Sequence, residues 1–300
     1  MKRVGNPNHP MIFAMIEAGG GHKSPALAVA ESYLAQNPGA IPPRVVDFCL
    51  EVGADRFDAE HKAQWDYLLK RPYLTSFGYE MQDRFEILSR WYLRSWTRDF
   101  FRKTEIWMRN NRPSLFFATH WLNAAAAAQA REQIRDLHCP IIYFLTEAFD
   151  ASSLHSWQGI DLYLVSSRAA ADCLVRRGVR PDRIQVTGYP VRPSFFQTRR
   201  PRQELLSEFG CDPQLPTLLV SSGAQGVGRI VKISQRLSNH HMAMNIIVVC
   251  GRNEELFHSL AGHRRPANGA GIGAFVPLGF RDDMNDLLQQ NRNAQDAVGV

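Results

Sequence analysis

Short apolar runs alternate with longer segments of helical periodicity along most of the chain. Each run is bounded by glycine, proline or polar residues, and most are followed by a helical pattern. Strands that alternate with helices form parallel sheets covered on both faces, so the pattern predicts an α/β fold. The predicted strands are Met11–Ala18, Arg44–Cys49, Ser114–Thr119, Ile141–Thr146, Asp161–Ser166, Arg183–Thr187, Thr217–Ser222, Asn245–Cys250 and Ala274–Leu278.

The alternation of strands and helices is interrupted after the sixth predicted strand. Residues 188–195 contain two prolines and show no periodicity, which is typical of a linker between domains. We therefore expect one α/β domain over about residues 1–190 and a second over about 196–300.

Residues 58–112 interrupt the first domain with a helical insertion rich in aromatic and basic residues. Within it, arginines recur at every fourth position and aromatic residues fall on another side of the predicted helix. One interpretation is a docking helix with a buried aromatic face and a solvated arginine face. The other is an interfacial helix whose arginines meet anionic lipid. The membrane interpretation uses Arg90, Arg94, Trp96, Arg98, Phe100 and Arg102.

The net charge of +6 and the pI near 9.2 indicate an acidic partner, such as an anionic membrane, a phosphorylated substrate or nucleic acid. We expect no nucleic-acid partner, because no recognition motif accompanies the charge. Five scattered cysteines without a CxxC spacing argue against a disulfide framework and a zinc site, and they suit a reducing cytosol. No apolar stretch is long enough to span a bilayer, so any membrane contact is expected to be peripheral.

The first predicted strand runs into a loop of three glycines and a histidine. The helix after it is predicted to begin at Ser24, with Pro25 in its first turn. Free backbone N–H groups at this position favour an anion, and His22 is a candidate general base or a group that orients an acceptor hydroxyl. The alternative is a tight turn with a surface histidine. The glycines are Gly19, Gly20 and Gly21.

A second glycine-rich loop occupies the matching position in the second domain. Its backbone amides are suited to cradle a diphosphate, although an ordinary strand-to-helix turn has the same composition. Two such loops, each opening the first strand–helix unit of its domain, indicate a ligand held between the domains. The residues of the second loop are Ser222, Gly223, Ala224, Gln225 and Gly226.

Two further strand ends carry polar side chains to the edge at which ligands bind in open α/β sheets. Glu147 follows the fourth strand and either orients His22, acts as the base itself, or caps a helix or remains solvated. Thr119 and His120 end the third strand, where a lone histidine is more often structural than catalytic.

Together these motifs resemble the monogalactosyldiacylglycerol synthase family, which includes the processive diacylglycerol glucosyltransferases. The matching stretches extend from Met11 to about Leu288. They are the Gly19–His22 loop, Phe144–Glu147 with Trp157, Asp161–Ser166, Arg183–Val191, Ser222–Gly228, Val248–Asn253 and Leu278–Met284.

The resemblance implies a GT-B fold, in which two Rossmann-like domains face a cleft. It implies a metal-independent, inverting transfer of a hexose from a UDP-sugar to diacylglycerol or a related lipid, with no cofactor. His22 corresponds to the family histidine beside the acceptor. Gly251 and the second glycine loop correspond to the UDP side, and the insertion corresponds to the region that docks on the membrane. We therefore expect a cytoplasmic protein peripherally associated with an anionic membrane surface.

Two departures from the family pattern matter. Glu147 stands where the family has aspartate. After Leu288 the family continues with a strand, a glycine loop and a helix that carries the ribose-binding acid, whereas residues 289–300 show none of these. We therefore expect an incomplete second domain, weak UDP binding and reduced or lost activity. The alternatives are a non-catalytic protein that binds anionic membranes or lipid, and a nucleotide-sugar epimerase of the same fold, which the insertion disfavours.

Overall fold

The computed structural model describes residues 9–17, 20–69, 71–85, 95–196, 200–221, 223, 230–269 and 271–288. The chain divides into two compact units, Met1–Arg192 and Pro193–Val300. Each unit contains a sheet of parallel strands, so the predicted α/β class is confirmed.

All nine predicted strands are present, and each is shorter than predicted. The second ends at Asp47 because Phe48 already begins a short helix. Unit one has the strand order β2-β1-β3-β4-β5-β6, and unit two has β7-β8-β9. The strands are β1 Met11–Met15, β2 Arg44–Asp47, β3 Leu115–Ala118, β4 Ile141–Leu145, β5 Leu162–Val165, β6 Ile184–Val186, β7 Thr217–Ser221, β8 Asn245–Val249 and β9 Phe275–Leu278.

The described helices follow the strands as parallel sheets require. In unit one they are α1 Gly20–Gln36, α2 Phe48–Glu51, α3 Asp55–Leu69, α4 Pro72–Arg84, α5 Arg98–Asn111, α6 Trp121–Gln133 and α7 Arg168–Arg176. In unit two they are α8 Arg202–Glu208, α9 Ile230–Ser238 and α10 Glu254–Ala261, and residues 284–288 are also helical.

Helix α6 lies in the core of unit one. Its alanines from Ala124 to Ala128 are all buried, so this run of small residues is a packing feature. Small side chains let a helix approach its neighbours closely, and α6 packs against both α5 and the sheet. None of the described helices is long and apolar enough to cross a bilayer.

The predicted insertion contributes α3, α4 and α5, and part of it joins the core. Phe48 packs edge-to-face on Phe100 and Trp107, with ring centroids 6.2 and 5.3 Å apart. Phe57 of α3 stacks on Phe100 at 5.4 Å. This aromatic cluster joins α3 and α5 to the sheet.

Unit two is organised around a buried asparagine. The Asn245 side-chain oxygen accepts hydrogen bonds from the backbone N–H groups of Asp212 and Ala274, at 3.1 and 3.3 Å. Its amide nitrogen donates to the Asp212 carbonyl at 2.8 Å and to the Thr217 hydroxyl at 3.1 Å. One side chain therefore links β8 to the loop before β7 and to the start of β9.

Candidate active site

Gly20 and Gly21 are already helical, which corrects the predicted helix start. Helix α1 begins at Gly20 rather than at Ser24, so Pro25 lies inside the helix. Gly19 lies outside the described residues. A Cβ atom added to Gly20 or Gly21 would meet no atom within 4 Å, so both glycines face open space.

A tertiary hydrogen bond replaces the helical hydrogen bond that Pro25 cannot make. Proline has no N–H, so the carbonyl four residues earlier, that of Gly21, loses its helical partner. The hydroxyl of Tyr189 donates to this carbonyl at 3.0 Å. The Tyr189 ring also packs edge-to-face on Phe144 of β4, with centroids 5.5 Å apart. The chain after β6 therefore holds the glycine turn in place.

His22 is fixed at the carboxyl edge of the sheet by two bonds to one residue. Its Nδ1 donates to the carbonyl of Thr119 at 2.7 Å, and its own carbonyl accepts from the Thr119 hydroxyl at 2.8 Å. A carbonyl can only accept, so Nδ1 carries the proton and Nε2 has a free lone pair in the neutral ring. The orientation is that of a general base whose reactive atom is Nε2.

The environment keeps His22 neutral. Burial lowers its pKa below 6.5, against the opposing effects of the hydrogen bond to Thr119 and the charge of Glu147. A neutral imidazole at physiological pH is the form that accepts a proton.

Glu147 and His22 are connected through Thr146. The Thr146 hydroxyl donates to Glu147 Oε2 at 3.2 Å and lies 3.5 Å from His22 Nδ1. Glu147 Oε2 also lies 3.9 Å from Nδ1 of His155, a buried residue whose Nδ1 is 2.7 Å from the Tyr143 hydroxyl. The carboxylate is partly exposed and sits between two histidines, so it is placed to orient His22 electrostatically.

The side chain of His120 caps a helix. Its Nδ1 accepts a hydrogen bond from the backbone N–H of Leu122 at 3.2 Å and so caps the N-terminus of α6. Its ring contacts that of His22 edge-to-face, with centroids 4.8 Å apart. Burial lowers the pKa of His120 well below its usual value, so the cap stays neutral.

Sequence reasoning missed His61 on α3. Its ring lies 5.5 Å from that of His120 and stacks on Phe57 at 5.9 Å. Burial lowers the pKa of His61 to about 4, with further lowering from His22 and Lys62. The insertion therefore places a third neutral imidazole beside His22 and His120.

An ion-pair anchor holds α3 at this edge. Lys62 donates to Asp47 at the end of β2, at 2.8 Å, and to Asp58 at 2.7 Å. Asp47, Cys49 and Asp58 form a group with metal-ligand spacing in the described part of the chain. The Lys62 ammonium takes the place a cation would need, and burial raises the pKa of the Cys49 thiol so that it stays protonated. The group fits an anchor and does not fit a metal site.

The second glycine loop lies largely outside the described residues. Ser222, Ala224, Gln225 and Gly226 belong to that part. Gly223 is described and has φ of +69°, a backbone conformation that favours glycine. Gly251, at the end of β8, has φ of +61°.

The structure corrects the predicted arginine helix. Helix α5 begins at Arg98, and Arg90 and Arg94 lie outside the described residues. Phe100 is fully buried, and Trp96 is partly buried against the same core, so Phe100 cannot face a membrane. The aromatic side of the pattern packs against protein, while Arg98 and Arg102 are exposed.

Among the described residues of the insertion, a row of exposed apolar side chains lies on α4 and the turn after it. Tyr73, Phe77, Met81 and Phe85 recur every four residues and are 71%, 60%, 39% and 47% exposed. Apolar side chains that cluster on the surface mark interaction sites, so this row is a candidate docking surface.

Comparison of the fold with solved structures places the chain in the GT-B class. A protein of Anabaena, Alr3699/HepE, solved in complex with UDP-glucose, superimposes with a TM-score of 0.51 at 14% identity, covering 94% of this chain and 72% of that one. This likeness establishes the fold alone.

The resemblance to the monogalactosyldiacylglycerol synthase family is confirmed. Residues 58–191 match the family model for monogalactosyldiacylglycerol (MGDG) synthase. The chloroplastic enzyme of Spinacia oleracea is 34% identical over 130 residues, which are 40% of this chain and 25% of that protein. Monogalactosyldiacylglycerol synthase 3 of Arabidopsis thaliana is 25% identical over 264 residues, which are 84% of this chain and 56% of that protein. The chain thus spans about a quarter to a half of the curated relatives it matches.

Proposed function

We propose that this chain transfers a hexose from a UDP-sugar to the free hydroxyl of diacylglycerol or a related membrane lipid. The observation that carries the proposal is the His22 arrangement, in which the bond to the Thr119 carbonyl leaves Nε2 as a proton acceptor beside two open glycines. Similarity to monogalactosyldiacylglycerol synthases supports a lipid acceptor and a sugar donor.

In the proposed reaction, the acceptor hydroxyl oxygen attacks the anomeric carbon of the donor sugar. The bond from that carbon to the diphosphate oxygen breaks, and UDP leaves with the bonding electrons. His22 Nε2 takes the hydroxyl proton, and the resulting imidazolium is stabilised by the Thr119 carbonyl and by the charge of Glu147. Glu147 serves as the group that stabilises this cation, while His22 is the base.

The donor is proposed to bind through unit two. The positive φ angles of Gly223 and Gly251 at the ends of β7 and β8 allow sharp turns and close approach of a ligand to the backbone. Alr3699/HepE, which shares the fold, was solved with UDP-glucose. The predicted weakness of UDP binding by this chain concerns residues 289–300, outside the described part, and stays a prediction.

The membrane surface is proposed to meet α4. An apolar stripe next to basic residues suits the boundary between headgroups and acyl chains, and Arg71 and Arg84 flank this stripe. A peripheral enzyme with a lipid acceptor needs such a surface to reach its substrate. This assignment replaces the arginine helix as the candidate docking face.

A transfer assay tests the activity. The purified chain is incubated with diacylglycerol vesicles and a panel of radiolabelled UDP-hexoses, and lipid-extractable label is counted. We expect label in the lipid phase with the native chain at UDP-hexose concentrations high enough to offset weak UDP binding, and a loss of about a hundredfold or more with His22→Gln. His138→Gln, a change at an exposed histidine, is the matched control and should keep full activity. Equal transfer by His22→Gln and the native chain would overturn the base assignment.

Vesicle sedimentation tests the docking face separately. Phe77→Ser with Phe85→Ser should weaken binding to anionic vesicles about tenfold or more, because two apolar side chains no longer insert. Arg98→Ala on the corrected helix should have a smaller effect. Binding without transfer would favour the alternative of a non-catalytic lipid-binding relative.

A further inference from the structure

We infer that His61, supplied by the helical insertion, contacts the acceptor hydroxyl directly and is a further substrate-binding residue of this site. The inference rests on the proposed function, because it assigns a residue to the acceptor of that reaction. Neither the motifs in the sequence nor the family resemblance points to this position.

The first support is proximity. The three rings form a continuous series, in which His22 contacts His120 at 4.8 Å and His120 contacts His61 at 5.5 Å, both edge-to-face. The charge of a protonated His22 would act directly on His61. His61 therefore lies at the same edge of the sheet as His22, close enough to respond to its charge.

The second support is the state of the His61 ring nitrogens. Nδ1 of His22 donates a hydrogen bond to the Thr119 carbonyl, and Nδ1 of His120 accepts one from the Leu122 backbone N–H. Within the described part of the chain, His61 makes no hydrogen bond, and its side chain is only partly buried. A partly exposed imidazole without a protein partner has both a donor and an acceptor to offer to a ligand.

The third support is rigidity. Lys62, the residue after His61, forms ion pairs with Asp47 and Asp58. The His61 ring stacks on Phe57 with an interplanar angle of 13°. Asp47 also accepts a hydrogen bond from the backbone of Glu17, at 3.1 Å, in the loop that leads to the glycines. The anchor therefore fixes His61 relative to the glycine loop and to His22, which a binding residue requires.

The chemistry favours a hydroxyl over a phosphate. With a pKa of about 4, His61 is neutral at physiological pH, and a neutral ring suits a dipolar group better than a dianion. Asp47 at the end of β2 and Asp58 on α3 place two negative charges against the single positive charge of Lys62, and this excess disfavours a phosphate. Helix α3 is followed by α4, whose exposed apolar face is the proposed membrane surface, so one insertion carries both His61 and that surface.

The experiment uses the full chain labelled with ¹⁵N-histidine. Imidazole signals are recorded in detergent micelles, and those of His61 are assigned by their absence in His61→Phe, which keeps a ring against Phe57. Dioctanoylglycerol is the probe, and trioctanoylglycerol, which lacks a hydroxyl, is the matched control ligand. We expect the His61 signals to shift with dioctanoylglycerol and to stay in place with trioctanoylglycerol.

The kinetic counterpart uses the transfer assay. His61→Phe should raise the KM for diacylglycerol about tenfold, because the loss of one hydrogen bond weakens binding by about that factor. The change in kcat should be smaller. His61→Gln, which keeps a donor and an acceptor, should recover most of the loss. His61 signals that ignore dioctanoylglycerol, or respond equally to both lipids, would overturn the inference. A shift without any sugar transfer would uphold the acceptor contact and refute the transferase.

Discussion

Acidification should destabilise the protein, and His61 makes the largest effect that can be worked out from the structure. The folded-state pKa of His61 is lowered by burial to about 4 from 6.5. Between these values the unfolded chain binds a proton that the folded chain does not. Stability is therefore fully present above about pH 6.5 and falls as the pH decreases towards 4.

The magnitude follows from the two pKa values. On lowering the pH from about 7 to about 5, the unfolded His61 becomes charged while the folded one stays mostly neutral. The linkage relation then gives a loss of about 2 kcal/mol from this residue. His22, His120 and His155 also have lowered pKa values caused by burial, so the native chain should lose more than this in total.

The assay is urea unfolding at the two pH values. His61→Phe removes the titrating group and keeps an aromatic ring against Phe57. The variant should lose about 2 kcal/mol less than the native chain over this interval, whatever its absolute stability at neutral pH. His138→Gln, at an exposed position, should follow the native curve. An unchanged pH dependence in His61→Phe would show that His61 is not held neutral in the fold.

Four further substitutions test the packing and the site. Gly21→Ala should leave stability unchanged or raise it by about 1 kcal/mol, because Gly21 is helical and faces open space. The same change should lower transfer about tenfold or more, because the added methyl group blocks a ligand. Melting curves measure the stability and the transfer assay measures the activity, and unaltered transfer would mean that no ligand approaches the turn. Lys62→Met should cost about 3 kcal/mol in urea unfolding by leaving Asp47 and Asp58 unpaired, and a loss below about 0.5 kcal/mol would show that solvent screens the anchor. Phe100→Ala should cost about 3 to 5 kcal/mol and Arg98→Ala about 0.5 or less, and equal losses would contradict the corrected helix.

The sheets were predictable because buried parallel strands have a local signature. Each strand is a short apolar run that ends at a turn or a capping residue, and all of this lies within a few neighbouring positions. The start of α1 was not predictable in the same way. Ser24 and Pro25 favour a helix beginning there, and only the distant Tyr189 hydroxyl compensates for a proline inside the helix.

In the insertion, the periodicity of the sequence could not predict which aromatic stripe is buried. A stripe of aromatic residues looks the same whether it meets lipid or protein, so the pattern could not reveal that Phe100 packs against Phe48 and Phe57. The stripe on α4 has the same kind of spacing and is exposed. Which stripe is buried depends on contacts between residues far apart in the chain.

The site was predicted in part. Thr119 and Glu147 follow the ends of β3 and β4 within two residues, and His22 lies in the first turn of the helix after β1. The carboxyl ends of parallel strands share one edge, so the approach of these three residues follows from topology. His61 lies within a helix, and its distance from that edge is set by the Lys62 anchor. The only local signal was the spacing of Asp58 and Lys62, which indicates a helix-surface ion pair rather than a site.

The most direct measurement of the central claim is the anomeric configuration of the lipid product. UDP-hexoses carry the sugar in α linkage, and a single displacement with His22 as base inverts it. NMR of lipid glycosylated by the native chain should therefore show a β-linked sugar, and the His22→Gln variant should yield almost none. An α-linked product, or a β-linked product formed equally well by His22→Gln, would contradict the account.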